Sequence, residues 1–339
     1  MKTRLIVSLI LCAATLSLSA REIPSDAIVV AQDGSGQFTT IQEAVNSVRS
    51  FTPVARTIFI KKGVYREKVC IETWHTSITL VGEDRDATVI SWDDYNGKAD
   101  NGTAYWSASY ADLVDKRSPN RNGTFLSGTL MVMGNDITVE DLTIENTAGR
   151  VGQALAIHVE GDRVIFRNCR LLGNQDTVYL GREGSRNYFK DCYITGTTDF
   201  IFGPSTAVFS GCTIHCLANS YITAASTPEK VPFGFVFLDC DITADASCNR
   251  VLLGRPWRAY GATAFLRCRM GAFIAPAGWN NWSSAENEKT ARYAEYANTG
   301  EGAVTDGRVA WAHRLTDAEA KNYTLENIFA GSGGVWLPE

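Results

Sequence analysis

Five stretches of this chain share one frame: FRNCRLLGNQD (166–176), FKDCYITGTTD (189–199), FSGCTIHCLAN (209–219), FLDCDITADAS (237–247) and FLRCRMGAF (265–273). In each, phenylalanine stands three residues before cysteine and an apolar residue two after it. ITVEDLTIENTAG (137–149) fits the same frame, with Val139 in place of the phenylalanine and Leu142 in place of the cysteine. From Leu142 to Cys268 the marker recurs at intervals of 20 to 28 residues. Short β-branched and aromatic runs, broken by Gly, Asn and Asp turns, read as strands, and recurrence at that period reads as a solenoid. The expected fold is all-β: a single-domain right-handed parallel β-helix, each coil laying its strands about 4.8 Å from those of the last. The marker cysteines then form an internal ladder of small buried side chains. Oxidation of neighbours such as Cys192 and Cys212 to a disulfide stays open at this point.

A solenoid has ends that must be closed, and the sequence changes character at both. SGQFTTIQEAVNSV (35–48) places Thr40 to cap a helix, Glu43 three residues later, and Ile41, Ala44, Val45 and Val48 at helical spacing. This predicts one amphipathic N-terminal capping helix. From about Ser283 onward, AENEKTARYAEYAN (285–298) and TDAEAKNYTLENIF (316–329) read as an irregular and helical segment packed outside the coils, with Thr316 and Glu319 at capping-box spacing.

Before the first coil, residues 1–20 carry Lys2 and Arg4, a short apolar run, and a small-x-small pattern at Ser17 and Ser19. That is the pattern of a cleaved secretory signal peptide, which leaves residues 21–339 as the mature domain. No later run is long and apolar enough for a membrane anchor, so a secreted monomer is expected, at the cell surface, in the periplasm or in the medium. The full chain carries a formal charge of −5, and the leader removes two cations from it. No basic run exists, which argues against nucleic acid as a partner. Of nine cysteines, Cys12 leaves with the leader. No Cys-x-x-Cys pair occurs and the four histidines are scattered, so no metal site is expected.

The repeat also pairs two acids. Asp176 lies seven residues after Cys169, and Asp199 lies seven after Cys192. Equal offsets on successive coils put both carboxylates on one face, about 5 Å apart at the backbone. Two such acids do not both ionise readily, so one pKa should rise while the other stays low. That split allows one to act as nucleophile and the other as acid. A ladder of turn-capping aspartates would give the same spacing. Gln175 beside Asp176, and Gln153 on the preceding coil, offer uncharged amide donors of the kind an oxyanion needs. Downstream, Arg255 can hold one aspartate ionised and Trp257 can offer a flat face to a sugar ring. In GTTDFIFG (196–203), Phe202 is placed to line an apolar wall beside Asp199.

Taken together, GVYREKV (63–69), QALAI (153–157), GNQDTVY (173–179), GTTDFIFG (196–203) and LGRPW (253–257) resemble, in that order, the pectin methylesterases. DGSGQFTTIQEAV (33–45) and GWNNWSSAENEKTARYAEYANTGEGA (278–303) resemble that family's start and end, so the likeness spans about residues 24–336. It implies a parallel β-helix that removes methyl esters from polygalacturonate without a metal or organic cofactor. Carried over by motif, Asp199 resembles the nucleophile and Asp176 the general acid and later base. Gln175 and Gln153 resemble the oxyanion and substrate donors, Arg255 the arginine holding the nucleophile, and Trp257 the sugar-contacting tryptophan. Thr124, in NGTFLSGT, corresponds to a substrate-contacting threonine.

Two departures from the family pattern stand out. Arg150 occupies a position usually taken by proline. Residues 91–122 are longer than usual and rich in Tyr and Trp, which reads either as a self-packed loop or as a cleft wall adding sugar subsites. Two other functions fit part of the pattern: a retaining glycosidase, which also uses two close carboxylates, and a non-catalytic carbohydrate-binding member of the family.

Overall fold

The computed structural model describes residues 21–99, 123–331 and 334–338. Residues 1–20, where a leader is expected, and most of the long 91–122 segment lie outside the described residues. Within them the chain winds through three parallel sheets of eleven, seven and eight strands as a right-handed β-helix. One coil runs from Val164–Arg167 in the eleven-stranded sheet to Arg170–Leu172 in the eight-stranded sheet, then Val178–Leu180 in the seven-stranded sheet. The next coil repeats this with Arg186–Lys190, Tyr193–Gly196 and Ile201–Gly203.

The frame of the sequence repeat becomes the interior of this prism. Phe166, Phe189, Phe209, Phe237 and Phe265 stack face to face, with centroids 5.0, 4.7, 4.5 and 4.3 Å apart and ring planes within 13° of parallel. Two residues beyond the cysteines, Leu171, Ile194, Ile214, Ile242 and Met270 pair in one register column. Cys169, Cys192, Cys212, Cys240 and Cys268 form the ladder between them, all buried. Cys192 and Cys212 are both free thiols, so the open question about them resolves against a disulfide. The residue before each marker turns the corner in left-handed conformation: Asp141, Asn168, Asp191, Gly211, Asp239 and Arg267, with φ between 47° and 63°. Asp, Asn and Gly tolerate that region, which explains their recurrence beside the marker.

The helix Ile41–Ser47 closes the first coil as expected. Thr40 Oγ1 accepts from the Glu43 N–H at 3.3 Å, and the carboxylate of Glu67 accepts from the Ile41 and Gln42 N–H groups at 2.8 and 3.0 Å. Ile41, Ala44, Val45 and Val48 are buried.

The C-terminal expectation needs correction in part. The predicted capping box of Thr316 and Glu319 is present and starts the helix Asp317–Ala320. However, Arg292–Tyr296 is not irregular: it is a parallel strand added to the eleven-stranded sheet, pairing Ala262–Leu266. The Ala, Glu and Lys just before it favour helix, but its two tyrosines suit a strand and an unpaired sheet edge supplies a full ladder of hydrogen bonds. Beyond it, Leu315, Ile328 and Phe329 cover outward residues of that sheet such as Tyr188, Val208 and Leu266.

Candidate active site

Along the seven-stranded sheet side chains alternate inward and outward. Met131, His158, Tyr179, Phe202 and Ala224 form one register column across five strands. Leu155, Tyr179, Phe202 and Ala224 cluster on this outer face, with the half-buried Phe125, Trp257 and Trp282 packed against them. This floor lies beneath a cleft of about 330 Å³.

The two aspartates stand at its edge because the register puts them there. Val178 pairs Ile201, and each aspartate precedes its strand by two residues. The turns before them are tight. An added Cβ at Gly196 would lie 2.1 Å from Phe200 Cβ, and one at the equivalent Gly173 would lie 2.7 Å from Thr177 Oγ1, so glycine is required at both. Asp176 and Asp199 take φ values of 68° and 49°, which swing their carboxyl groups out of the ladder. Their N–H groups still donate to the next coil, Asp176 to the Thr198 carbonyl at 3.1 Å and Asp199 to the Tyr221 carbonyl at 2.8 Å.

Arg255 grips Asp199 at two points, Nε to Oδ1 at 3.0 Å and Nη2 to Oδ2 at 2.6 Å. Its guanidinium is itself held between the rings of Tyr221 and Trp282, 4.0 and 3.8 Å from their centroids. Gln153 and Gln175 are joined by a parallel bridge on neighbouring coils. Both line the cleft with Thr124, Phe125, Asp176, Asp199, Phe202, Ala224, Arg255, Trp257 and Trp282. All eight residues named from the sequence therefore meet in one cleft. One face of Trp257 is taken by Arg258, whose guanidinium carbon sits 4.7 Å from the ring centroid. The Trp257 ring meets Phe202 in a T-shaped contact, 5.8 Å between centroids and 65° between planes.

The electrostatics differ from the simple expectation. Asp176 is only 7% exposed, and this burial, with the neighbouring charge of Asp199, pushes its pKa up to about 8. Burial raises Asp199 as well, opposed by the hydrogen bonds and charge of Arg255. Asp199 is thus not simply a low-pKa acid. Two-point pairing with a guanidinium favours its charged form, while burial and the Asp199 charge favour the protonated form of Asp176.

Two residues that complete the site were not singled out by the sequence. Tyr221 aligns with Asp199 on the next coil, but it lies nine residues after Cys212 rather than seven. The turn there is two residues longer, and a fixed offset lands on Asn219 instead. Trp282 belongs to a single-copy loop after the last complete coil, where no periodicity points to it. Among the described residues no cluster of His, Cys, Asp or Glu could hold a metal ion, and no helix is long and apolar enough to cross a membrane.

The model of the family described as Pectinesterase matches residues 27–118 and 113–332. The chain belongs to the pectinesterase family. Among curated pectinesterases it is 38% identical to Pectinesterase 31 of Arabidopsis thaliana over 87% of this chain and 89% of that protein. It is 36% identical to probable pectinesterase/pectinesterase inhibitor 6 of the same plant, matching 91% of this chain but only 53% of the relative. The pectin methylesterase from carrot superposes with a TM-score of 0.78 at 31% identity, covering 93% of this chain and 96% of that one. As a pectinesterase, the protein is an ester hydrolase.

Proposed function

We propose that this pectinesterase removes C6 methyl esters from methylated polygalacturonate, with Asp199 as nucleophile and Asp176 as acid and base. The observation that carries this reading is the geometry: Asp199 gripped at two points by the Arg255 fork, with Asp176 buried beside it in the same cleft and its pKa pushed up to about 8. Ionised Asp199 attacks the ester carbonyl carbon. The amides of Gln153 and Gln175 donate to the oxygen as it gains charge; in other enzymes one such donor is worth about 3 kcal/mol. The tetrahedral intermediate collapses as Asp176 gives its proton to the departing methanol. Asp176, now a carboxylate, takes a proton from water, which hydrolyses the acyl-enzyme anhydride and frees Asp199. Trp257 and Phe202 supply apolar surface for the sugar ring, and Thr124 a polar contact at the rim. No metal or organic cofactor is needed for any of these steps.

The leader expected at residues 1–20 supports export to wherever pectin lies outside the cytoplasm. The test is the purified mature chain on highly methylated pectin, following methanol, new reducing ends and unsaturated product together. Methanol alone is expected. Reducing ends in step with turnover would point to a glycosidase, and no product of any kind to a binding protein.

A further inference from the structure

A primary amide can stabilise an oxyanion only when its nitrogen, not its oxygen, faces the developing charge. Nothing in the glutamine side chain itself selects between the two orientations. The structure supplies that selection for Gln153 from outside the catalytic group. Asn96 donates twice to it: its backbone N–H to the Gln153 carbonyl at 2.9 Å and its Nδ2 to Gln153 Oε1 at 3.1 Å. With Oε1 occupied by a donor, Nε2 is the end left to face the cleft.

Asn96 is held in place by a buried anchor. Lys68 Nζ pairs with Asp94 Oδ2 at 2.8 Å, with only 3% and 6% of the two side chains exposed. The same ammonium donates to the Leu126 carbonyl at 2.6 Å. Lys98 closes the other side of the turn on Asp94 Oδ1 at 3.0 Å, and Asn146 Nδ2 donates to the Asp94 carbonyl at 2.8 Å and the Leu155 carbonyl at 2.9 Å. The described start of the long 91–122 segment is therefore tied both to the Thr124–Leu126 wall of the cleft and to the coil that carries Gln153.

We propose that Asn96 is a positioning residue for catalysis: it sets the amide orientation of Gln153 so that Nε2 donates to the oxyanion. This rests on the oxyanion role proposed for Gln153 above. Asparagine suits the task because it donates without adding charge, whereas an aspartate of the same shape accepts and draws Nε2 away from the cleft.

The test is a set of steady-state measurements on methylated pectin with the mature chain. Asn96→Ala, which frees the amide to adopt either orientation, is expected to lower kcat about 2-fold or more, as the competent fraction falls, with KM little changed. Asn96→Asp, which favours the wrong orientation, is expected to approach the 10²- to 10³-fold typical of losing an oxyanion donor. In a Gln153→Ala background, Asn96→Ala should have almost no further effect, because residues that act through one another are not additive. Wild-type kcat in both Asn96 variants overturns the proposal, as does an equal loss from Asn96→Ala with and without Gln153. If Gln153→Ala itself keeps full turnover, the oxyanion role fails and takes this inference with it. A damaged Gln153→Ala beside unaffected Asn96 variants removes the Asn96 inference alone.

Discussion

Two Arg–Asp forks in this molecule have nearly the same geometry and opposite consequences. Arg255 meets Asp199 through Nε and Nη2 at 3.0 and 2.6 Å; Arg186 meets Asp162 through the same atoms at 3.0 and 2.7 Å. Yet the Asp162 carboxyl is held below its ordinary range, although burial alone would raise it, while Asp199 is lifted above. The difference lies in the other donors. Asp162 also accepts from the Arg186 N–H at 2.9 Å and from Arg163 Nη1 at 2.7 Å, and its side chain is 18% exposed. Asp199 has the one arginine and 9% exposure. A saturated carboxylate fastens: Arg186 goes on to donate to the Phe329 and Gly334 carbonyls and so clamps the C-terminal segment. An undersaturated, buried one keeps oxygen lone pairs for chemistry.

The fork in the cleft is the one on which turnover depends. Asp199→Ala should lower methanol release by on the order of 10⁴-fold or more in a protein that still folds, though less stably, because Arg255 loses its partner and alanine is strained at a φ of 49°. Asp176→Asn should cost about 10²- to 10⁴-fold in kcat, the range for losing a general acid–base. Arg255→Lys keeps a cation but loses the planar fork; a fall of roughly 10²-fold in kcat is expected, by analogy with losing one preorganised donor. On the fastening side the readout reverses. Arg186→Ala should leave turnover per folded molecule near wild type but cost about 3 kcal/mol in urea unfolding, as breaking a buried pair does.

The smallest effect sharpens the contrast through pH. Asp176 has a raised pKa in the folded state, so its contribution to stability is full below the ordinary carboxylate range and is lost as pH climbs towards about 8. Asp176→Asn removes that loss and should raise the melting temperature by a few degrees at pH 8 and by little at pH 4. Asp162 behaves oppositely: its depressed pKa stabilises above the ordinary range, and that contribution is lost as the solution is acidified. Replacing Asp162 should therefore matter most at neutral pH and least in acid.

Much of this was legible in the sequence because a solenoid repeats its constraints. Phenylalanine and cysteine at fixed spacing announce the stacked interior, and a shared offset of seven carries Asp176 and Asp199 to one edge. Glycine, Asp and Asn before the cysteine mark left-handed corners. What escaped lay where the repeat breaks. Tyr221 was hidden by a turn two residues longer than its neighbours. Trp282 and Asn96 sit in loops that occur once, so no second copy calibrates their position. The strand Arg292–Tyr296 follows directly on a helical stretch, Ala285–Thr290, and is recruited by an open sheet edge that only the folded coils create.

The chemistry of this cleft needs one buried carboxyl protonated at neutral pH beside another held ionised by an arginine. Carbon-13 labelling of the aspartate side-chain carboxyls, followed by NMR from pH 3 to pH 10, measures this directly. A carboxyl that titrates near pH 8 in the wild-type protein and is missing from Asp176→Asn is the predicted result. A spectrum in which every aspartate has ionised below pH 6 would contradict it.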